Sequence, residues 1–306
     1  MQSLIGKTAV LTGAASGFGL ELARLCAAQG MKIVMADVQQ DALDKVVAEL
    51  TAAGAQVAAL RGDVSRGEDI QALADLCLER FGVPHIVINN AGVAYGGLIW
   101  EAGPRDWEWV LGVNLWGVIH GVRVFTPLML AEARKNPAYQ GHIVNVASMA
   151  GMLNSPNLGV YNVSKHAVVS LSETLYQDLA LVTDQVHASV LCPYFVPTGI
   201  HQSHRNRPAE LRTDAKPTAS QLIGQAMSAK AVTSGKVTAT DTAALVFNAI
   251  EANQFYVYTH PKAIGMVQVR MEDVMQARNP TDPFAGKPEI GEQLKTALRD
   301  ALAKED

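Results

Sequence analysis

Cysteine is nearly absent from this chain. Cys26, Cys77 and Cys192 are isolated and odd in number among 306 residues. That excludes a disulfide framework and leaves reduced, buried thiols in a cytoplasmic protein as the expectation. Charge is also sparse, at 18% of residues and a net −4. With no basic patch, the chain lacks a nucleic-acid footprint. No uninterrupted apolar run approaches the roughly 20 residues of a membrane span. The opening MQSLIGKTAV has no basic region followed by an apolar core, so no secretory signal is expected. Aromatics make up only 6%, yet all four Trp (Trp100, Trp107, Trp109, Trp116) crowd into one stretch. Packing under a long helix from about residue 105 to 134 is the plain reading; a substrate wall or subunit interface are the alternatives. Pro127 is expected to kink that helix or end its main part.

What is present is apolar residues, 49% of the chain, in a regular alternation. KTAVLT, MKIVMAD, QVAALRGDV and HIVINNAG read as strands, and the segments between them carry apolar residues at helical spacing. GHIVNVAS and VHASVLC continue the series, and FYVYTH gives a seventh strand. Strand, helix and strand with short connections imply an α/β fold: a Rossmann-type doubly wound parallel sheet of about seven strands, helices on both faces, in one domain. Ligands of such sheets bind beyond the carboxyl ends of the strands.

The chemistry-bearing residues stand at those ends. Thr12 to Gly19 (TGAASGFG) follows strand one and opens the first helix. Glycines there let the backbone approach a pyrophosphate, which then sits on the helix N-terminus; a tight turn is the plain alternative. Asp37 closes strand two, 18 residues past Gly19, where a carboxylate accepts from adenosine ribose hydroxyls and repels a 2′-phosphate. Its alternative is a helix cap. No Lys or Arg stands at Ala14, Ala15 or Val38, so NAD is favoured over NADP. Asp63 and Val64 end strand three, near an adenine or as a cap. Asn90, Ala91 and Gly92 end strand four, leaving room for a ribose.

Tyr161 and Lys165 are four apart on an expected helix over 160–182. An ammonium beside a phenol favours the phenolate, which makes a proton donor and acceptor usable near neutral pH. The pair alone says little, since 7 Tyr and 12 Lys give roughly 0.27 such pairs by chance. Tyr258 and Lys262 repeat the spacing, but Pro261 precedes that lysine and the run before it reads as strand. Ser148 ends strand five, at the same sheet edge as the glycine loop. Asn114 lies inside an apolar helix and needs a partner there.

TGAASGFG, Asp37, Asp63, NNAG, Asn114, Ser148 and Tyr161-x-x-x-Lys165 come in the order and approximate spacing of the short-chain dehydrogenase/reductase family. The resemblance runs from about residue 5 to 200 and more loosely to about 260. It implies an oxidoreductase moving a hydride between nicotinamide and a secondary alcohol or ketone. In it Tyr161 is the general acid/base, Lys165 lowers its pKa and binds ribose, Ser148 holds the substrate oxygen, and Asn114 anchors a proton relay. The cofactor set implied is Gly13, Ser16, Gly17, Phe18, Gly19, Asp37, Val38, Asp63, Val64, Asn90, Ala91, Gly92, Tyr161, Lys165, Pro193, Val196 and Thr198. The family pattern Pro-Gly-x-Val-x-Thr appears here as Pro193-Tyr194-Phe195-Val196-Pro197-Thr198, with Tyr194 in place of the glycine. Val93, Tyr95, Met149, Leu153, Tyr194 and Phe195, with Ser148, are the pocket candidates, and their character favours a hydrophobic or aromatic substrate. An NADPH-dependent carbonyl reductase and a non-catalytic nucleotide-binding sensor are the alternatives. Family analogy implies a homodimer or homotetramer.

Residues 199–238 lose clear periodicity and read as a polar lid beside the cofactor site, within a catalytic unit of residues 1–260. His201 and His204 have a metal-site spacing, but Glu210 is the one carboxylate near them before Asp214, so no metal is expected. Arg205, Arg207 and Arg212 read as solvated; the alternative is that one holds a substrate carboxylate or phosphate. Residues 261–306 read as a partly helical tail that covers the pocket or packs on a neighbouring subunit.

Overall fold

The computed structural model describes residues 3–213 and 215–303. Seven strands form one parallel sheet in the order β3-β2-β1-β4-β5-β6-β7: β1 (Thr8–Thr12), β2 (Lys32–Asp37), β3 (Gln56–Arg61), β4 (Ile86–Asn89), β5 (Gly141–Val146), β6 (Val186–Cys192) and β7 (Tyr256–Tyr258). The order reverses between β1 and β4, which opens a crevice at their carboxyl ends.

Successive side chains of a strand point to opposite faces, so one strand feeds two cores. Ala9 and Leu11 of β1 join Ile33, Met35, Ile86 and Ile88 under α1 (Gly17–Ala28), α2 (Gln40–Ala52) and α8 (Ala239–Ala252). Val10, between them, joins Val34, Val87 and Ile143 on the other face, under α3 (Gly67–Phe81), α5 (Gly117–Lys135) and α6 (Gly159–Val182). β1 and β5 are buried along their whole length, as a sheet covered on both faces requires.

The long central helix is not uniform. α4 (Pro104–Leu111) leads into a π-helical turn over Gly112–Trp116 and then into α5. The run continues through Pro127 to Lys135, so the helix does not end at that proline. Pro127 is exposed, where water can reach the carbonyl its missing N–H leaves free. Residues 104–135 are long enough, and contain an 18-residue stretch apolar enough, to match a membrane span by length and composition only. One face of this run, including Val110, Phe125 and Met129, is packed in the core.

Residues 199–238, expected to be an aperiodic polar lid, hold regular structure. Residues 199–206 and 209–211 are 3₁₀ turns, and α7 (Ala219–Thr233) is a regular helix. The tail holds α9 (Ile264–Met275) and α10 (Pro288–Leu302), and α10 packs against α7 of the same chain.

Candidate active site

The glycine loop crosses from β1 to α1 with Gly13 and Gly17 at φ of 62° and 55°. Gly19 is needed for contact: a Cβ there would lie 2.0 Å from the Gly13 carbonyl oxygen. Ser16 occupies the N-cap of α1, yet its hydroxyl makes no cap hydrogen bond. The first amides of α1 and that hydroxyl are therefore available to an anionic group. Asp37 braces this loop. Its Oδ2 accepts from Ala15 N at 3.0 Å and its Oδ1 from Gln39 N at 2.9 Å. The N-cap of α2 is Gln39, so Asp37 is not the helix cap; one of its oxygens forms a turn ahead of α2 and the other holds the glycine loop.

Asn90 ties the ends of β1 and β4 together. Its Nδ2 donates to the carbonyls of Thr12 (2.8 Å) and Gly13 (3.1 Å), and its N–H donates to Thr12 Oγ1 at 3.0 Å. Asp63 Oδ1 accepts from both the N–H and the hydroxyl of Ser65, a local turn at the mouth of the cleft. Thr198, at the root of the lid, stands over the loop: a Cβ on Gly17 would lie 3.4 Å from it.

These elements surround one cleft of about 920 Å³. It is lined by every residue assigned from the sequence to cofactor, substrate or catalysis except Gly19 and Asn114, which stand behind its wall. The Tyr258–Lys262 decoy is separate, with the tyrosine on β7 and the lysine in an exposed turn.

Ser148 follows β5, its Oγ accepting from Ala150 N at 3.1 Å and donating to Pro193 O at 3.4 Å. Tyr161 and Lys165 lie on successive turns of α6. Lys165 Nζ is 5.8 Å from the centre of the Tyr161 ring and donates to Val146 O at 2.9 Å. Burial pushes the ammonium down to about 8. The expected depression of the Tyr161 pKa by Lys165 is not what the structure shows. Burial raises the phenol, and the opposing pull comes from a hydrogen bond to Ser148. Lys165 Nζ donates to a strand carbonyl, and among the described residues no hydrogen bond joins it to the phenol.

Asn114 sits in the π-helical turn, fully buried and fully paired. Its Oδ1 accepts from Val93 N at 2.8 Å, and its Nδ2 donates to Val93 O and Ser164 Oγ, both at 3.0 Å. A Cβ on Gly92 would lie 3.4 Å from Asn114 Oδ1 and 3.5 Å from Lys165 Nζ, so the missing side chain keeps a gap between them.

The substrate end has parts the sequence did not reveal. Arg207, read as solvated, makes a buried ion pair with Asp106 at 2.6 Å and lies 5.2 Å over the Trp109 ring. Arg205 and Arg212 are exposed as expected. Only two of the four Trp pack as expected: Trp109 is buried and Trp107 partly so, while Trp100 and Trp116 are exposed. Tyr194 packs on Phe195, ring centres 4.3 Å apart, and its N–H donates to Thr259 Oγ1 at 3.0 Å. Residues 203–221 are tied by hydrogen bonds to the segment after β4. Ser220 donates to Glu101 at 2.7 Å, Thr218 donates to the same carboxylate oxygen, Gln221 donates to Tyr95 Oη at 2.7 Å, and Ala94 N donates to Ser203 Oγ at 2.9 Å. His201 and His204 bond to Thr198 O and Gln225 respectively. Among the described residues no group of three or more His, Cys, Asp or Glu is gathered for a metal.

Comparisons with known proteins agree with this geometry. The short chain dehydrogenase family model matches residues 7–209. A short chain dehydrogenase/reductase from Burkholderia phymatum, solved in complex with NAD, superposes with a TM-score of 0.90 at 53% identity, covering 92% of this chain and 99% of that one. The CLA biosynthesis dehydrogenase/reductase of Lactiplantibacillus plantarum is 32% identical over 280 residues, 90% of this chain and 95% of the relative. The C alpha-dehydrogenase of a Sphingobium species is 30% identical over 299 residues, 97% and 94% of the two chains. A cleft built by a glycine loop, an acidic strand end and a Ser–Tyr–Lys set, in a chain matched this far, places the protein in the short-chain dehydrogenase/reductase family.

Proposed function

We propose that the chain is an NAD-dependent dehydrogenase that interconverts a hydrophobic secondary alcohol and its ketone. The observation that carries this reading is the convergence of Ser148, Tyr161 and Lys165 on the cleft that also holds the glycine loop and Asp37. When bound, a nicotinamide dinucleotide supplies the hydride exchange. The residues present fit such a group: Gly13 and Gly17 leave a cradle, the Ser16 hydroxyl is uncommitted, and Asp37 ends β2 at the cleft, where its carboxylate would accept from ribose hydroxyls.

Tyr161 Oη gives a proton to, or takes one from, the substrate oxygen. Ser148 Oγ hydrogen-bonds that oxygen and stabilises charge as it develops. Lys165 Nζ holds a buried positive charge beside the Tyr161 ring and would donate to the ribose hydroxyls of a bound cofactor. Asn114, Val93 and the gap at Gly92 give the lysine a path for proton exchange. Val93, Met149, Leu153, Tyr194 and Phe195 supply apolar and aromatic walls, which suits a hydrophobic ring. The Asp37 carboxylate repels a 2′-phosphate and supports NAD over NADP. The bacterial relative solved with NAD is consistent with that preference. The reading also includes a cytoplasmic location and a homodimeric or homotetrameric state, by family analogy.

The test is a panel of secondary alcohols with NAD, followed by absorbance of the reduced nicotinamide. No oxidation of any aromatic or aliphatic secondary alcohol, and no reduction of the matching ketones, would overturn it.

A further inference from the structure

Arg205 brings a positive charge to the cleft that no carboxylate among the described residues pairs with. It stands in the turn Gly199–Asn206 and lines the cleft together with Ser16, Gly17, Asp37 and Gln39. Its polar contacts are long and go to neutral amides. Nε donates to Gln39 Oε1 at 3.4 Å, and Nη1 donates to Gln202 O at 3.4 Å and to Gln202 Oε1 at 3.2 Å. Nη2 makes no hydrogen bond among the described residues. Arg207, two residues on, is the contrast: its charge is matched by Asp106 at 2.6 Å. The position of the Arg205 guanidinium is defined on two sides. Gln39, on one side, is the N-cap of α2 and follows Asp37 by two residues. On the other side, a Cβ on Gly199 would lie 3.4 Å from Nη2 and 3.7 Å from Nη1, and the preceding Thr198 stands over Gly17. The turn that carries Arg205 thus crosses from the glycine loop to the end of β2, and the charge lies between them.

We propose that Arg205 is a ligand for the pyrophosphate of the dinucleotide, adding a full positive charge to the open amides at the start of α1. Long bonds to neutral amides are readily exchanged for an anionic acceptor, because a charge-assisted hydrogen bond is roughly twice as strong as a neutral one. Asp37 decides between the two kinds of phosphate that a nicotinamide dinucleotide can carry. Its carboxylate accepts from Gln39 N and disfavours a 2′-phosphate on that side of the guanidinium. The glycine-loop side offers the uncommitted Ser16 hydroxyl and the first amides of α1 instead. The inference rests on the dinucleotide reading above and adds to it a charged ligand that neither the glycine loop nor Asp37 supplies.

The experiment is calorimetry on the full chain with NADH, NADPH and ADP-ribose, at about 50 and about 300 mM NaCl, comparing the parent with Arg205→Gln and Arg205→Lys. Arg205→Gln is expected to weaken NADH and ADP-ribose alike, by about tenfold at the lower salt. ADP-ribose keeps the pyrophosphate and lacks the nicotinamide, so an equal loss places the contact away from the reacting ring. The loss is expected to shrink at the higher salt, which screens a charge contact and leaves a packing effect in place. Arg205→Lys keeps the charge without the planar fork and should recover part of the loss. Arg205 is exposed and its bonds are long, so both variants should melt within about 2 °C of the parent. Equal affinity of the parent and Arg205→Gln for NADH would overturn the assignment. So would a loss for NADH that ADP-ribose does not share, a loss confined to NADPH, or a loss of the same size at both salt concentrations. Binding of NADH by the parent that Arg205→Gln leaves unchanged overturns this inference alone. No binding of any of the three nucleotides by the parent overturns the oxidoreductase reading with it.

Discussion

Lys165 Nζ faces the Tyr161 ring from 5.8 Å and gives its hydrogen bond to the Val146 carbonyl, 2.9 Å away. The two residues that make the family motif are therefore coupled through a buried charge and not through a direct bond. Burial acts on both, raising the phenol and lowering the ammonium to about 8. Both shifts favour the neutral forms, which is what a desolvated pair costs before any further charge is brought to the site.

Removing the phenol hydroxyl isolates its role. Tyr161→Phe keeps the ring that lines the cleft and deletes only the proton donor. NADH affinity, measured by fluorescence titration, is expected to stay within about threefold. Turnover is expected to fall by about 10²–10⁴. Full activity in this variant would remove Tyr161 from the chemistry.

Replacing the lysine separates stability from function. In the unfolded chain Lys165 titrates near 10.5, and in the fold near 8. Below pH 8 it is charged in both states, and folding bears the full cost of burying the charge. Between 8 and 10.5 the folded lysine is neutral while the unfolded one still holds a proton, so that cost falls as pH rises. Lys165→Met should therefore abolish turnover and still raise the melting temperature at pH 7, by about 2–4 °C for each kcal/mol recovered. The freed Val146 carbonyl offsets part of the gain. The difference from the parent chain should shrink towards pH 10. A melting temperature that falls equally at both pH values would show that the hydrogen bond outweighs desolvation.

The parallel sheet and the residues at the strand ends were legible in the sequence because strand burial and glycine spacing are local signals; the strand order was not. The lid was not. Apolar residues surround α7 without forming a stripe, so no helical face is visible, although Thr218 and Gln221 form a capping box that marks its start. Arg207 carries no local sign of burial, because its partner Asp106 lies 101 residues earlier. The direction of the Tyr161 shift was misread for a related reason. Sequence spacing put an ammonium near the phenol but could not show that Val146 already holds it, or how deeply both are buried.

Gly92 leaves a space between two polar groups of the site. A methyl group there meets Asn114 Oδ1 at 3.4 Å and Lys165 Nζ at 3.5 Å, ordinary contacts that the fold tolerates. Gly92→Ala should therefore fold and bind NADH, with a melting temperature close to that of the parent, while filling the gap between the two polar groups. If that gap serves proton exchange, turnover should fall by about tenfold or more and show a larger solvent deuterium isotope effect. Unchanged turnover and isotope effect would make the gap a packing feature only.

Asp37 divides its two oxygens between the glycine loop and the start of α2, so charge and bracing can be tested apart. Asp37→Asn keeps one acceptor oxygen for Ala15 N and removes the negative charge. Loss of repulsion should strengthen NADPH binding by about tenfold, the scale of a single charge contact near the protein surface. NADH should weaken by less, since an amide oxygen still meets the ribose hydroxyls. Asp37→Ala removes the brace as well and should weaken both nucleotides, because the loop they share is no longer held to β2. Calorimetry with NADH and NADPH on the two variants distinguishes these effects. An Asn variant that leaves the preference for NADH untouched would move the basis of cofactor choice from Asp37 to the lid.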